Sequence, residues 1–196
     1  MLAVFAASTL AFSGPARPVA PRSAVRMEMM PAVPFLEKAS KLGKGMLGDV
    51  GFDPLYLSES MDLKWLREAE LKHGRVSMLG VVGLVVPEFV RLGGPYYDSP
   101  NPIEAFAKVP VEAWAQILLA IGIFELFSNG GKMTMSDMFS DPARVPGKVG
   151  FDPLRMGGST DLELKELKNG RLAMLAFGGM LHQVFITGHP VLQGFN

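Results

Sequence analysis

The sequence contains no cysteine, which excludes disulfides, thiolate metal sites and cysteine nucleophiles. It also carries no net charge, with 19 basic and 19 acidic residues among 196. Nothing therefore favours nucleic acid, a polyanion, as a partner. Histidine is scarce, with only His73, His182 and His189. So few imidazoles make a multi-ligand transition-metal site a poor explanation of the chain.

Long hydrophobic runs are also missing, although the chain is apolar overall. Its mean hydropathy is +0.24, whereas soluble domains are usually more polar, and this balance favours a membrane protein. The charge-free runs at residues 76–86 and 172–186 are nevertheless shorter than the ~20 apolar residues of a typical membrane span. A soluble helical bundle fits this hydropathy as well. The choice between a membrane protein and a soluble bundle therefore depends on the polar residues.

The first 27 residues lack any acidic side chain. Residues 1–14, "MLAVFAASTLAFSG", are apolar and uncharged, and residues 15–26, "PARPVAPRSAVR", then bring three arginines. This order combines a secretory signal with an organellar transit peptide. We predict a bipartite targeting segment at residues 1–29 and a mature domain at residues 30–196. An unstructured N-terminal tail is the alternative.

The chain contains two copies of one pattern. "AELKHGRVSML" at residues 69–79 is echoed by "KELKNGRLAML" at residues 165–175, and "GDVGFDPLYL" at residues 48–57 by "GKVGFDPLRM" at residues 147–156. Repeats of this length indicate two copies of one structural unit. Each copy reads as a GFDP turn, a polar helix start and a long helix. The start is Ser60 or Asp62 in the first copy and residues 159–161 in the second.

The predicted long helices cover about residues 62–92 and 161–187, with a third apolar helix at residues 110–127. The turn-rich segments at 93–102 and 128–148 are predicted as loops. Helices of this length reach on the order of 40 Å, more than the ~30 Å hydrocarbon core. We therefore predict an all-α membrane protein with three transmembrane helices. The first and third form an internal repeat crossed about a pseudo-two-fold axis.

The repeated motif places a glutamate and an arginine in each of the two long helices. Five residues separate Glu70 from Arg75 and Glu166 from Arg171, which sets each pair ~140° apart around its own helix. They cannot easily meet within one helix. Across a two-fold axis Glu70 meets Arg171 and Glu166 meets Arg75. Since a lone charge in a bilayer costs several kcal/mol, we expect these two interhelical ion pairs.

The ion pairs leave His73 and Asn169 unexplained. Each lies three residues after a glutamate and shares its helix face. An imidazole nitrogen, an amide oxygen and a spare carboxylate oxygen are all lone-pair donors. A Mg²⁺ ion held by four ring nitrogens needs one such axial ligand. A carboxylate neutralised by arginine supplies it without adding net charge.

Small residues follow both motifs. Glycine permits close approach either of a second helix or of a flat ligand, and both interpretations stay open for these positions: Gly80, Gly83, Gly178 and Gly179.

The doubled "ExxHGR … ExxNGR" pattern, the preceding "GFDPL" turns and the helix between them resemble the light-harvesting chlorophyll-binding proteins. The resemblance covers about residues 31–196. "PAVPFLEKASKL" at residues 31–42 and the two-part leader are similar to the fucoxanthin chlorophyll a/c-binding branch. We also expect no amphipathic C-terminal helix in residues 186–196, and this expectation fits that branch.

The resemblance implies a set of pigment contacts. Asp53 and Asp152 in the turns would flank two carotenoids, unless they only form helix-entry turns. The implied chlorophyll Mg ligands are Glu70, His73, Glu166, Asn169 and Gln183, with Gln116 and Glu125 as further candidates. The implied cofactors are chlorophyll a, chlorophyll c and a carotenoid, fucoxanthin or a related xanthophyll.

The function implied is a plastid thylakoid antenna that passes excitation to a photosystem alongside other antenna subunits, and that is not an enzyme. A photoprotective member that dissipates excitation is the alternative, and a shortened chlorophyll fluorescence lifetime would distinguish it. A transporter or proton relay using the intramembrane glutamates is a hypothesis of another class. It predicts transport in pigment-free vesicles.

Overall fold

The computed structural model describes residues 29–30, 33–43, 45–91, 93–94, 98–141, 143–148, 150, 152 and 157–193. Within these ranges the chain is helical, and an isolated bridge between Met29 and Glu37 is the only β-pairing there. The predicted all-α class is confirmed. Residues 1–28 of the predicted targeting segment lie outside the described residues. The helices are α1 Leu57–Ser60, α2 Leu63–Phe89, α3 Pro102–Lys108, α4 Val111–Ser128, α5 Met135–Met138 and α6 Thr160–Thr187.

The two longest helices, α2 and α6, have 27 and 28 residues. Helix α2 begins after Asp62, whose Oδ1 accepts a hydrogen bond from the amide of Lys64 at 3.0 Å, so Asp62 is the cap. It continues through Pro87 and ends at Phe89, slightly before the predicted end. Helix α6 ends at Thr187 and is followed by Gly188, whose φ of 68° is the left-handed conformation that glycine adopts without strain.

Helices α2 and α6 cross in direct backbone contact. The crossing point lies at Gly74 and Gly170, both buried. A Cβ atom on Gly74 would lie 3.0 Å from the Cα of Gly170, and one on Gly170 would lie 3.1 Å from the Cα of Gly74. Only glycine permits this approach. The glycine of each "GR" motif therefore fixes the level at which the charged residues of the two helices face each other.

Helix α4 stands beside this crossed pair. Its 18 residues rise about 27 Å, close to the thickness of a hydrocarbon core. Within the described ranges it is the one helix that is long and apolar enough to cross a membrane by composition alone. None of its residues is buried. An apolar helix without buried residues presents its surface to lipid or to bound molecules, unlike the core helix of a soluble protein.

The sequence interpretation did not include three short helices: α1, α3 and α5. Helix α3 follows the first predicted loop, where the side chain of Asn101 accepts from the amide of Ile103 at 3.0 Å. The signal was present, because an asparagine cap followed by Pro102 at the first helical position is a common helix start. Helix α5 occupies one turn of the second predicted loop.

Candidate functional site

Two reciprocal ion pairs join α2 and α6 beside the crossing. Nε of Arg75 donates to Oε1 of Glu166 at 2.6 Å, and Nε of Arg171 donates to Oε1 of Glu70 at 2.7 Å. All four side chains are about one-third exposed. Charge-assisted hydrogen bonds of this length are strong. Each helix therefore neutralises the carboxylate of the other.

Each arginine also holds the turn that precedes the opposite helix. Nη2 of Arg75 donates to the carbonyl of Gly147 at 3.0 Å, and Nη1 of Arg171 donates to the carbonyl of Gly48 at 2.9 Å. The two sets of contacts are equivalent when α2 and α6 are exchanged. Each guanidinium thus joins a glutamate of the opposite helix to the turn that precedes that helix, beside the crossing.

His73 and Asn169 are both exposed and both oriented by their own helix. Nδ1 of His73 lies 2.7 Å from the carbonyl oxygen of Ala69. Since a carbonyl can only accept, Nδ1 is the donor in this contact, and in the neutral imidazole Nε2 is the atom with the lone pair. Nδ2 of Asn169 donates to the carbonyl of Lys165 at 2.8 Å, and its Oδ1 accepts no hydrogen bond from the described residues. Both helices thus present one acceptor atom outside the α2–α6 contact.

The remaining predicted ligands lie elsewhere. Gln183 is half-buried on α6, where its Nε2 donates to the carbonyl of Val191 at 3.2 Å and its Oε1 has no partner among the described residues. Gln116 is exposed on α4. Glu125 forms an ion pair with Lys72 and accepts from Nδ2 of Asn129 at 2.9 Å, both through Oε2.

These ligand candidates do not converge on one point. Among the described residues no group of three or more histidine or acidic side chains could hold a metal ion directly. The arrangement suits several separate ligands, each with one axial contact.

The aspartates of the GFDP turns form local caps. Oδ1 and Oδ2 of Asp53 accept from the amides of Leu57 and Ser58 at 3.1 and 2.9 Å, and Oδ2 of Asp152 accepts from the amide of Gly157 at 2.7 Å. Burial alone would raise the pKa of Asp53, but the hydrogen bonds donated by Ser58 and Leu57 outweigh it and hold the pKa below its usual range. The helix-entry role is therefore present in the first turn.

An open cleft lies on each side of the crossing. The first has a volume of about 570 Å³ and is lined by Phe52, Asp53, Glu70 and Arg171, among others. The second has a volume of about 780 Å³ and is lined by Asp152, Arg75 and Glu166, among others. Each GFDP aspartate therefore lies on the same cleft as one of the interhelical ion pairs.

Comparison with known proteins supplies the family. A sequence model described as chlorophyll A-B binding protein matches residues 38–185 of this chain. The chain belongs to the chlorophyll A-B binding protein family. Its members harvest light by binding pigments and are not enzymes, so this chain is a pigment-binding protein rather than a catalyst.

The individual relatives include chlorophyll a-c binding proteins and chlorophyll a-b binding proteins. The chain is 37% identical over 174 residues to the fucoxanthin-chlorophyll a-c binding protein of Chattonella marina var. antiqua, covering 79% of this chain and 77% of that one. The Isochrysis galbana protein of the same name is 36% identical over 163 residues, with coverages of 74% and 76%. Chlorophyll a-b binding protein 4 of Arabidopsis thaliana is 35% identical over 171 residues, with coverages of 80% and 68%.

The described residues fit the pigments that the family name implies. His73 and Asn169 offer uncharged acceptor atoms at exposed positions, and Glu70 and Glu166 are carboxylates whose charge is already balanced. The outer faces of the long helices are apolar, with Leu79 on α2, Leu118 on α4 and Leu175 on α6 each more than two-thirds exposed. A neutral donor set within an apolar surface suits an uncharged macrocycle that carries Mg²⁺.

The glycines after the motifs fall into two groups in this family member. A Cβ atom on Gly80 would lie 2.8 Å from the ring of Phe177, so Gly80 serves helix packing. A Cβ atom on Gly83, Gly178 or Gly179 would meet no described protein atom within 4 Å. Packing against another helix thus explains the first glycine but not the other three.

Three site residues of α2 were missed by sequence reasoning: Arg67, Glu68 and Lys72. Arg67 donates to Oε2 of Glu70 at 2.8 Å through Nη1, and the other two contact Gly147 and Glu125. A signal existed, because Leu164 stands in the second copy where Glu68 stands in the first. A charge at a position that the other copy fills with leucine indicates a contact peculiar to one half.

Proposed function

We propose that this chain is a light-harvesting antenna protein, which holds chlorophylls and carotenoids in the plastid thylakoid membrane and passes excitation energy to a photosystem. The observation that carries this proposal is the pair of crossed Glu–Arg contacts flanked by the outward acceptor atoms of His73 and Asn169. Bound chlorophyll supplies light absorption and excitation transfer. The residues of the chain fix where each pigment lies and how it is oriented.

In the membrane, α2, α4 and α6 act as three transmembrane helices. With 27 and 28 residues, α2 and α6 are about 40 Å long, so they cross with tilt and protrude on the side of their charged first turns. The reciprocal contacts of Arg75 and Arg171 support an internal repeat related by a pseudo-two-fold axis. Residues 1–29 serve as the bipartite plastid targeting segment, and residues 30–196 form the membrane domain.

Seven side chains act as axial ligands to chlorophyll Mg²⁺. On α2 and α6 the neutral donors and the arginine-paired glutamates each offer an oxygen or nitrogen lone pair without leaving an unbalanced charge in the bilayer. The ligands are Glu70, His73, Glu166, Asn169, Gln183, Gln116 and Glu125.

The two clefts beside the crossing receive the ends of two carotenoids, next to Asp53 and Asp152. The names of the Chattonella and Isochrysis relatives favour chlorophyll a with chlorophyll c, and fucoxanthin or a related xanthophyll as the carotenoid. The partners are a photosystem core and other antenna subunits.

The test is spectroscopic. The native protein, purified in mild detergent, is expected to show chlorophyll a emission excited through chlorophyll c and through a blue-green-absorbing carotenoid. Bound pigment without that transfer would favour dissipation of excitation instead. A protein that purifies without pigment would refute the proposal. The two repeats would then serve only to join α2 and α6 through their ion pairs.

A further inference from the structure

Helix α4 contacts different parts of the chain at its two ends. None of its residues is buried, and at its N-terminal end the ring of Trp114 packs on that of Phe106 in α3, with centroids 4.4 Å apart. Its C-terminal end instead joins a closed circuit of contacts, named here the polar ring. The residues of the polar ring are Glu68, Lys72, Glu125, Asn129, Arg144 and Gly147.

The first half of the polar ring joins α2 to α4. Nζ of Lys72 forms an ion pair with Oε2 of Glu125, and the same oxygen accepts from Nδ2 of Asn129 at 2.9 Å. Asn129 is 5% exposed. A buried amide that hydrogen-bonds through both its nitrogen and its oxygen keeps its neighbours in one arrangement, since any shift would leave a buried polar atom unpaired.

The second half returns to α2 through the segment before α6. Nη2 of Arg144 donates to Oδ1 of Asn129 at 2.7 Å. Three residues later, the amide of Gly147 donates to Oε2 of Glu68 at 2.5 Å. Glu68 is 4% exposed, and its Oε1 lies 3.8 Å from Nζ of Lys72, which closes the ring.

We propose that the polar ring sets the spacing between α4 and the crossed α2–α6 pair, with Lys72 as its central positioning residue. Lys72 is the one side chain of the ring that contacts both Glu68 on α2 and Glu125 on α4. Because the ring uses Oε2 of Glu125, its Oε1 accepts no hydrogen bond from the described residues. This inference rests on the proposed function, which assigns Gln116 and Glu125 of α4 as ligands to pigment.

The second helix of the repeat provides a matched control. Lys168 occupies in α6 the position that Lys72 occupies in α2. Its side chain is exposed and forms no ion pair within the described part of the chain. Replacing either lysine by methionine removes one charge from the same place in the motif, but only Lys72→Met opens the ring.

The test is a distance measurement on pigment-loaded protein. The chain has no native cysteine, so spin labels at Phe127→Cys on α4 and Lys165→Cys on α6 report one distance by pulsed EPR. Both positions are exposed. We expect one narrow distance for the wild type and for Lys168→Met, a broadened distribution with loss of chlorophyll for Lys72→Met, and a narrow distribution again for Lys72→Arg.

An unchanged narrow distribution in Lys72→Met would overturn the proposal, as would equal broadening in Lys168→Met. If Lys72→Met yields no folded protein, Arg144→Met opens the ring outside the long helices, and an unchanged distance there has the same meaning. A wild type without pigment would instead refute the antenna function. The label distances would still report on the ring, so the two failures are distinguishable.

Discussion

Adding one methyl group at the helix crossing is the sharpest test of the architecture. In Gly74→Ala the new Cβ would lie 3.0 Å from the Cα of Gly170, whereas carbon atoms pack at about 3.5–4.0 Å. No side-chain rotation can relieve a contact with backbone. The two helices must therefore separate by roughly 0.5–1 Å at this level.

The separation also lengthens the two ion pairs. Both now have charge-assisted hydrogen bonds, of 2.6 and 2.7 Å, and an added 0.5–1 Å would bring them to about 3.1–3.7 Å, the limit of hydrogen bonding. Overpacking costs about 1–3 kcal/mol, and weakening the two partly exposed pairs adds about 1 kcal/mol in total. The better helix propensity of alanine returns about 1 kcal/mol. The expected net loss is about 1–3 kcal/mol of unfolding free energy.

The assay is thermal unfolding in detergent, followed by circular dichroism with pigment content monitored. For a chain of this size each kcal/mol lowers Tm by about 2–4 °C, so Gly74→Ala is expected to lose about 2–12 °C. Gly170→Ala should behave alike, because its Cβ would meet Gly74 at 3.1 Å. Gly83→Ala is the control on the same helix, since its Cβ would meet no described atom within 4 Å. Equal Tm values for Gly74→Ala and Gly83→Ala would refute the close-contact argument.

Three further predictions follow from the site. Arg75→Leu leaves Glu166 without its partner and should cost about 1–3 kcal/mol, discounted for partial exposure, with loss of at least one chlorophyll per chain; full pigment content and an unchanged Tm on reconstitution would contradict it. Because the folded-state pKa of Asp53 is lowered, its cap contributes fully above about pH 4 and is lost as the pH falls through that lowered pKa. Asp53→Ala should therefore lower Tm at pH 7 and converge with the wild type in acid, and a constant difference at every pH would show that this carboxylate is not responsible. Gly179→Leu adds bulk where no described protein atom lies, so pigment content should fall while far-ultraviolet dichroism stays constant, and unchanged pigment content would assign that position to lipid.

Much of the arrangement of the crossed helices could be predicted because the same motif occurs twice in the sequence. Two copies of one helix with a glutamate and an arginine ~140° apart leave few ways to neutralise four charges, and reciprocal pairing is the simplest. The helix start at Asp62 was likewise accessible, since a side-chain cap acts locally. Such features depend on residues within one or two helical turns, or on the internal repeat of the sequence.

The polar ring could not be predicted in the same way. Whether Lys72 meets Glu125 depends on where α4 stands beside α2, and α4 has no periodic apolar face that would fix its rotation. The amide of Gly147 reaches Glu68 only because the second turn lies against α2. The sequence alone does not distinguish Gly80 from Gly83. Only the position of Phe177 in the fold shows that Gly80 serves helix packing.

The small hydrophobic interior of the protein affects how much folded protein accumulates. Among the described residues only seven hydrophobic side chains are buried, too few to offset the conformational entropy of so many ordered residues. On the proposed function, pigment supplies the missing contacts, and ligand that binds only the folded state stabilises it in proportion to the logarithm of its free concentration. The amount of folded protein is then set by pigment supply as much as by synthesis of the chain. Polypeptide made in excess of pigment remains unfolded and open to proteases, so accumulation of the antenna follows pigment synthesis.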